Sequence, residues 1–449
     1  MSTIEKHDMT QGKILLPLVS FTIPLVLGNL FQLTYNAADS VIVGKYVGEQ
    51  ALAAVGTSTP IMNIAILLIS GMCMGASVLM SSQYGAKDYD TLSRQISTTM
   101  LAGCGFSVVF SLLMLLLANP VLRLIRVPET AIPEAAAYLR IIFMGLIFTF
   151  MYNFLANTMR ALGDSKTPLY FLVTSAFLNI FGDLFFVVVL RWGVAGRAIS
   201  TGCSEGLCCL LCGIYIKKKI PLLCLGKKWW VFDKSLLGKT VSYGSTSAMQ
   251  QVCLQLGKLI IQSVVNTQGV AVMAAFTAVN RVDDFAYTPQ QNIGHAMTTF
   301  LAQNKGAGHK ERMKKGFQTG LLIELVYSIG LFCVIWGLAP QIMTLFAEDG
   351  DAQVVSLGIS YLHLISWMYI LPGLTNGVQG FFRGIGDLKV TLYSTFMNMF
   401  GRVVAVFVMI RLLQMEFASL AWANMVGWIV MLLFEVPLLV KSMRNGECG

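Results

Sequence analysis

The sequence predicts an all-α polytopic membrane protein: twelve transmembrane helices in two six-helix lobes related by a parallel internal repeat. Three observations carry this. Of the 449 residues 55% are hydrophobic and only 12% charged, with a mean hydropathy of +0.68, whereas soluble domains carry about 25% charge. Long apolar runs alternate with short polar turns, each run long enough to cross about 30 Å of hydrocarbon as a helix and too long for a barrel strand. Finally, one phrase is written twice: Arg160-x-x-Gly163-Asp164-x-Lys166 returns as Arg383-x-x-Gly386-Asp387-x-Lys389, offset by about half the chain. Asn153 and Asn376 share that offset. Duplicated apolar units of this kind point to a transporter whose two halves move against each other.

Six spans are expected in the first lobe, residues 1–220. The polar start, 1–13, is followed by an apolar run too long for a signal-peptide core, so span one (14–43) is retained. It holds Pro24, whose missing N–H and ring weaken the helix there. Asn29, Gln32, Asn36 and Asp39 follow at spacings of three, four and three, which is one helical face. Spans two and three are read at 51–83 and 95–119. Span four (133–160) carries Asn153 and Asn157 and ends in the first copy of the duplicated phrase, where Gly permits an unusual backbone angle and Asp pairs with Arg or Lys. That phrase reads as a tight turn rather than a gate. Asn179 and Asp183 lie four apart in span five (167–190). Span six (195–216) opens with Thr201, which the helical rise along spans five and six brings to the depth of Asp183. Asp39 also falls in that outer half. The cysteines of span six, Cys203, Cys208, Cys209 and Cys212, suit packing better than soft-metal ligation.

A basic, aromatic linker is expected at 221–234 and the second lobe at 235–449. Span seven (235–265) shows Gln251, Gln255, Lys258 and Gln262 on one face, and span eight (270–303) shows Asn280, Arg281, Asp283, Asp284, Tyr287 and Gln291. Lys258, Arg281, Asp283 and Asp284 are expected to neutralise one another, as a structural ion-pair cluster or as substrate contacts. Spans nine to twelve are read at 314–338, 353–382, 389–412 and 418–441. The repeat sets Arg402 opposite Asn179 and Val406 opposite Asp183, so the acidic site of the first lobe has no counterpart in the second. His295 and His363 read as buried neutral side chains, not ligands.

Lys and Arg orient the chain. Lys217–Lys219, Lys227, Lys228, Lys305, Lys310, Lys314 and Lys315 fall on the side of the termini, against Lys45, Arg123, Arg126, Arg191, Arg197 and Arg411 on the other. Both termini are therefore expected in the cytoplasm of a cell housing the protein in its plasma membrane. The net charge of +9 is a topology signal, with no basic patch of nucleic-acid type. No phosphate-cradling Gly-Lys-Ser/Thr loop occurs, so ATP is not the expected energy source. Asp283-Asp284 lacks a further acidic motif for metal-diphosphate chemistry, which argues against an intramembrane transferase, and no enzyme activity is expected. No cofactor or structural metal is expected.

Ionisable groups in a bilayer cost from about 2.5 kcal/mol upward, so those present should meet a cavity or a partner. Asp39, Asn179, Asp183 and Thr201 together would make an oxygen-rich site for a proton or a small hard cation such as sodium.

The duplicated phrase, the Gly48-Glu49-Gln50-Ala51 segment, Gln83-Tyr84-Gly85-Ala86 with Asn304-Lys305-Gly306-Ala307, and Asn179-x-x-x-Asp183 resemble the multidrug and toxic compound extrusion (MATE) family, with the DinF-type pattern. The resemblance covers nearly the whole chain. It implies two six-helix lobes around a V-shaped cavity, and export of cationic amphipathic compounds in exchange for protons or sodium. Residue by residue it implies a cation site of Asp39, Asn179, Asp183 and Thr201 and a bending proline at Pro24. The acidic residues of NorM-type members are not evident in the second lobe, where span seven offers Gln250 and Gln251. Candidate cavity or substrate residues are Gln32, Tyr35, Asn36, Asn153, Asn157, Gln251, Gln255, Lys258, Asn280, Arg281, Asp283, Tyr287 and Arg402. The expected partners are the bilayer and small organic cations, with the protein acting as a monomer. The rival reading is a flippase for lipids or lipid-linked oligosaccharides of the same broad architecture.

Overall fold

A computed structural model describes residues 8–46, 49–124, 127, 129, 132–220, 230–346, 352–415, 417 and 419–444. Every regular element among them is helical. In chain order these are α1 (Leu15–Tyr46), α2 (Glu49–Gly85), α3 (Tyr89–Leu124), α4 (Ile132–Met144), α5 (Leu146–Ala161), α6 (Lys166–Asp183), α7 (Gly193–Lys219), α8 (Lys234–Val265), α9 (Val270–Gly306), α10 (Lys310–Phe346), α11 (Ala352–Ser366), α12 (Ile370–Ile385), α13 (Leu388–Val406) and α14 (Ser419–Arg444). Each span expected from the sequence has a helix, or a broken pair of helices, at its place. Nine described helical segments are long and apolar enough to cross a membrane, ten when α4 and α5, bent by 45°, count as one. Spans seven and eight, α8 and α9, fall outside that set because their glutamines and charged residues interrupt the apolar run. Most of the expected linker, 221–229, lies outside the described residues.

The duplication reappears in local geometry. Gly163 and Gly386 follow α5 and α12 at φ +89° and +85°, the left-handed region where an L side chain would be strained. After α6 and after α13 the helix widens into a single π turn, Leu184–Val189 and Phe407–Leu412, at corresponding places in the two copies of the repeat. The turn differs from expectation in one respect. Among the described residues Asp164 pairs with neither Arg nor Lys: its Oδ1 accepts the backbone N–H of Lys166 (3.1 Å) and of Thr167 (3.0 Å), capping α6.

The chain forms two compact units, one comprising Met1–Asp8 and Ile23–Ala248, the other Met9–Thr22 and Met249–Gly449. The division does not follow the linker, because α1 and α8 each contribute to both units. In the first unit, glycines at Gly71 and Gly75 explain the seating of the start of α8. A Cβ on Gly71 would lie 2.5 Å from the Ala248 Cα, and one on Gly75 2.5 Å from the Tyr243 carbonyl carbon, so bare backbone is what lets α2 and α8 touch. Just before α8, Asp233 meets Arg94 at 2.6 Å, and the amides of Val231 and Asp233 donate to Ser97 and Thr98 on α3. The second unit holds the start of the chain in a corresponding way. Arg312 donates to the carbonyls of Met9, Gln11 and Gly12, and Asn304 to that of Met9.

Each unit has its own apolar interior. That of the first is built from Leu92, Ile96, Phe143, Phe150, Phe154 and Met159, that of the second from Met343, Tyr361, Leu362, Met368 and Tyr369.

Candidate functional site

The site in the first unit is assembled by α6 and α7, which run side by side because Gly182 has no side chain: a Cβ there would meet Ser200 Oγ at 2.4 Å. The π turn that begins at Leu184 directly follows Asp183. Such widened turns break the regular ladder and recur at functional sites. Asn179 and Asp183 are 3% and 0% exposed, on the same helical face.

One orientation of the Asn179 amide satisfies all four of its neighbours. Its nitrogen donates to Asp183 Oδ2 at 3.2 Å and to the Tyr35 hydroxyl oxygen at 2.8 Å, and its oxygen accepts from the backbone N–H and the hydroxyl of Thr201, both at 3.2 Å. Ser200 Oγ donates to the Asn179 carbonyl at 2.9 Å, fixing the backbone from the other side. The structure thus brings together Asn179, Asp183 and Thr201 as expected, and adds Tyr35 and Ser200. Asp39 and Asn36 fall on α1, but their side chains lie outside the described residues. Pro24 is buried in α1 next to the Thr22–Ile23 division between the two units, and it supplies no N–H for the Ser20 carbonyl.

The remaining candidates sort by contact. Asn153 and Asn157 turn back on their own helix, donating to the carbonyls four residues earlier at 2.9 and 2.8 Å. Gln32 is exposed, and Tyr287 stacks edge-on against Tyr369 and Trp428 with ring centroids 5.4 and 5.9 Å apart. Gln251, Gln255 and Asn280 are half-buried. The buried glutamine of α8 is instead Gln250, which donates to Gln379 (3.2 Å) and Thr395 (3.0 Å).

The expected four-residue charge cluster is corrected. Lys258 and Asp284 form an exposed pair at 3.4 Å and Arg281 is exposed. Asp283 turns the other way, because successive helical residues point about 100° apart. It is 4% exposed and accepts from Tyr369 (2.6 Å) and Tyr361 (3.1 Å), with Asn424 donating to the Tyr361 hydroxyl at 2.8 Å. Arg402, half-buried on α13, adds a positive charge near Asp283.

His295, His363, Cys208 and Cys212 have structural partners. His295 Nδ1 lies 3.3 Å from the Arg383 guanidinium and His363 stacks on Trp336. Cys208 donates to the Phe171 carbonyl, Cys212 is packed in the core, and Cys203 is exposed. Sequence reading missed three acidic residues, Glu205, Glu324 and Glu435, each the only carboxylate in the apolar part of its helix. Their signal is the presence of a carboxylate inside a span at all.

The family model MatE matches residues 24–185 and again residues 247–409, once in each copy of the repeat. The chain belongs to the MatE family. Among its relatives is a probable multidrug resistance protein, YpnP, of Bacillus subtilis, 32% identical over 392 residues that cover 87% of this chain and 86% of the relative. A probable multidrug resistance protein, NorM, of Thermotoga maritima is 23% identical over 423 residues, 92% of this chain and 89% of the relative. A solved multidrug resistance MATE family transporter in an outward-facing conformation superposes with a TM-score of 0.91 at 21% identity, covering 100% of this chain and 99% of that one. As a MatE member the chain is a multi-span membrane transporter.

Proposed function

We propose that the protein is a secondary antiporter that exports cationic amphipathic drugs or toxic metabolites in exchange for a proton or a sodium ion bound in its first unit. The observation that carries this reading is the buried Asp183 carboxylate held by Asn179 beside Thr201, with Tyr35 tying the same amide to α1. The multidrug names of the relatives support drug export.

The amide gives the coupling a physical form. When Asp183 is ionised, the Asn179 nitrogen faces it and the oxygen takes both donors of Thr201. A proton or cation that neutralises Asp183 removes the charge that the amide nitrogen serves, and Tyr35, bonded to the same amide, links that change to α1. Tyr35 stands eleven residues beyond Pro24, about 16 Å along the helix that the proline weakens. Asp39, on the same helix, is proposed to join the site. The half-buried polar groups Gln251, Gln255, Asn280 and Arg402 are proposed to meet substrate, and the protein to work as a monomer in the plasma membrane with both termini cytoplasmic.

The driving force suffices. One charge moving through 100 mV carries about 2.3 kcal/mol, enough to hold roughly a fortyfold substrate gradient. Uptake of a fluorescent organic cation into proteoliposomes, driven separately by a proton or a sodium gradient, tests the reading. Accumulation under one gradient that vanishes in Asp183→Asn supports it. No accumulation under either, in correctly inserted protein, would sink it and direct attention to lipid-linked substrates.

A further inference from the structure

Arg402 is a guanidinium set in the apolar run of α13, fourteen residues past Leu388 and so about 21 Å along the helix. The repeat places it where the first copy has Asn179. A fixed charge at such depth is costly unless it meets a partner or water. Its buried Nε has no hydrogen-bond partner, and no salt bridge reaches it among the described residues.

Arg402 does not point at lipid. Phe396, Phe400, Val404 and Phe407 make the exposed apolar stripe of α13, and Arg402 lies about 200° around the axis from Phe400. It shares its own face with Thr391, Thr395 and Asn398, which are 1%, 2% and 5% exposed. Arg402 itself is only half-buried, so the open part of its side chain faces inward.

That interior has a wet side. Thr277, Arg281, Asp284 and Gln291 form an exposed stripe along one face of α9 that is polar throughout, and within a span such a stripe must face water. Lys258 of α8 meets it at Asp284. Tyr287 stands at the edge of the stripe, one turn from both Asp284 and Gln291, and its buried hydroxyl has no hydrogen-bond partner. The Arg402 charge acts on Tyr287 as well as on Asp283. Two consecutive residues of α14 connect them. A Cβ on Gly427 would lie 3.1 Å from the Arg402 Cβ, and the Trp428 ring lies edge-on to Tyr287 at 5.9 Å.

Asp283 does not use up the arginine. Each of its oxygens already accepts a tyrosine hydroxyl, whereas an arginine serving as counter-charge alone would set its two-pronged donor on the carboxylate. Across this region Lys258, Arg281 and Arg402 stand against Asp283 and Asp284, which leaves positive charge in surplus. A guanidinium and a tyrosine hydroxyl with donors to spare, in surplus positive charge, suit a carboxylate. The Tyr287 and Trp428 rings suit an aromatic body attached to it. We propose that Arg402 and the Tyr287 hydroxyl form a site in the second unit for an aromatic carboxylate, so that the cargo includes compounds bearing an acid group as well as organic cations. As a statement about cargo this rests on the export reading; as a statement about binding it stands alone.

Equilibrium dialysis of radiolabelled naphthalene-2-carboxylate against purified full-length protein in detergent tests the site, with protein-free micelles as the blank. Naphthalene-2-carboxamide, of the same shape and without charge, is the control ligand. The expected result is saturable binding of the acid, with the amide about tenfold weaker or more, and Arg402→Gln bringing the acid down to the level of the amide. Tyr287→Phe should weaken binding of the acid about fivefold. Absence of saturable binding, equal binding of acid and amide, or binding of the acid that survives Arg402→Gln overturns the proposal. So does binding that appears only in Asp283→Asn, which would show the arginine committed to that carboxylate. If Arg402→Gln does not fold, Tyr287→Phe decides with the acid and amide compared in the same protein, and unchanged affinity for the acid there overturns it. Ion-driven dye transport plays no part in these readings, so failure of this site and failure of the antiporter reading are seen separately.

Discussion

The Asn179 amide reaches forward one helical turn to the Asp183 carboxylate, Nδ2 to Oδ2 at 3.2 Å, while its oxygen takes both donors of Thr201. A leucine in its place would leave the carboxylate, the Tyr35 hydroxyl and the two Thr201 donors to find other partners in a buried site. Charge-assisted hydrogen bonds contribute about 1.5–3 kcal/mol, so Asn179→Leu should weaken binding of the coupling ion by roughly 10- to 100-fold. Titration of ion-driven dye export against ion concentration would show it as a shifted midpoint, whereas an unshifted midpoint would remove Asn179 from the site.

Thr201→Val keeps the shape of the side chain and its backbone N–H but removes the hydroxyl. A single neutral hydrogen bond contributes about 1 kcal/mol, so the expected effect is about a fivefold loss of ion affinity with near-normal expression. The same titration measures it, and a loss as large as that of Asn179→Leu would mean the hydroxyl contacts the ion directly.

Asp283 and Asp284 are adjacent in sequence and opposite in consequence. Tyr369→Phe removes a 2.6 Å hydrogen bond from a carboxylate that is 4% exposed, and should lower stability by about 1.5–3 kcal/mol. Lys258→Ala breaks a pair whose side chains are 57% and 50% exposed, and should cost below about 0.5 kcal/mol. Chemical unfolding in detergent distinguishes the two; equal effects would contradict the separation of the two carboxylates.

Gly75→Val places branched carbon where a Cβ alone would come within 2.5 Å of the Tyr243 backbone. Overpacking of this kind costs about 1–3 kcal/mol or more, since backbone cannot move aside as a side chain end can. Reduced thermal stability and faster proteolysis around residues 230–248 are expected, and Gly75→Ala should show the same change in weaker form.

The helices were readable because a bilayer imposes one requirement, a long apolar run, on nearly every span. The glycines of the duplicated phrase were readable because a positive φ at Gly163 and Gly386 leaves few alternatives. Asn179, Asp183 and Thr201 followed from helical spacing and depth. Helical spacing also misled, since it grouped Asp283 with Asp284 and Lys258 although adjacent residues diverge around the axis. Glu324 has no periodic companion: its neighbours Gln290 and Gly373 belong to other helices, and only packing brings them together. Likewise, no local signal announces that the starts of α1 and α8 depart from the halves of the chain that encode the rest of them.

That last arrangement bears on how the protein is made. The Met9 amide donates to Gln303, 294 positions later in the chain, and the arginine that fastens Met9 to Gly12 is later still. At about 5–20 residues per second, a ribosome delivers those anchors roughly 15 to 60 s after the segment they hold. Met9 to Gly12 are thus made long before the residues that fix them. Severed halves of the gene, expressed apart, would each yield a product lacking the segment that finishes it.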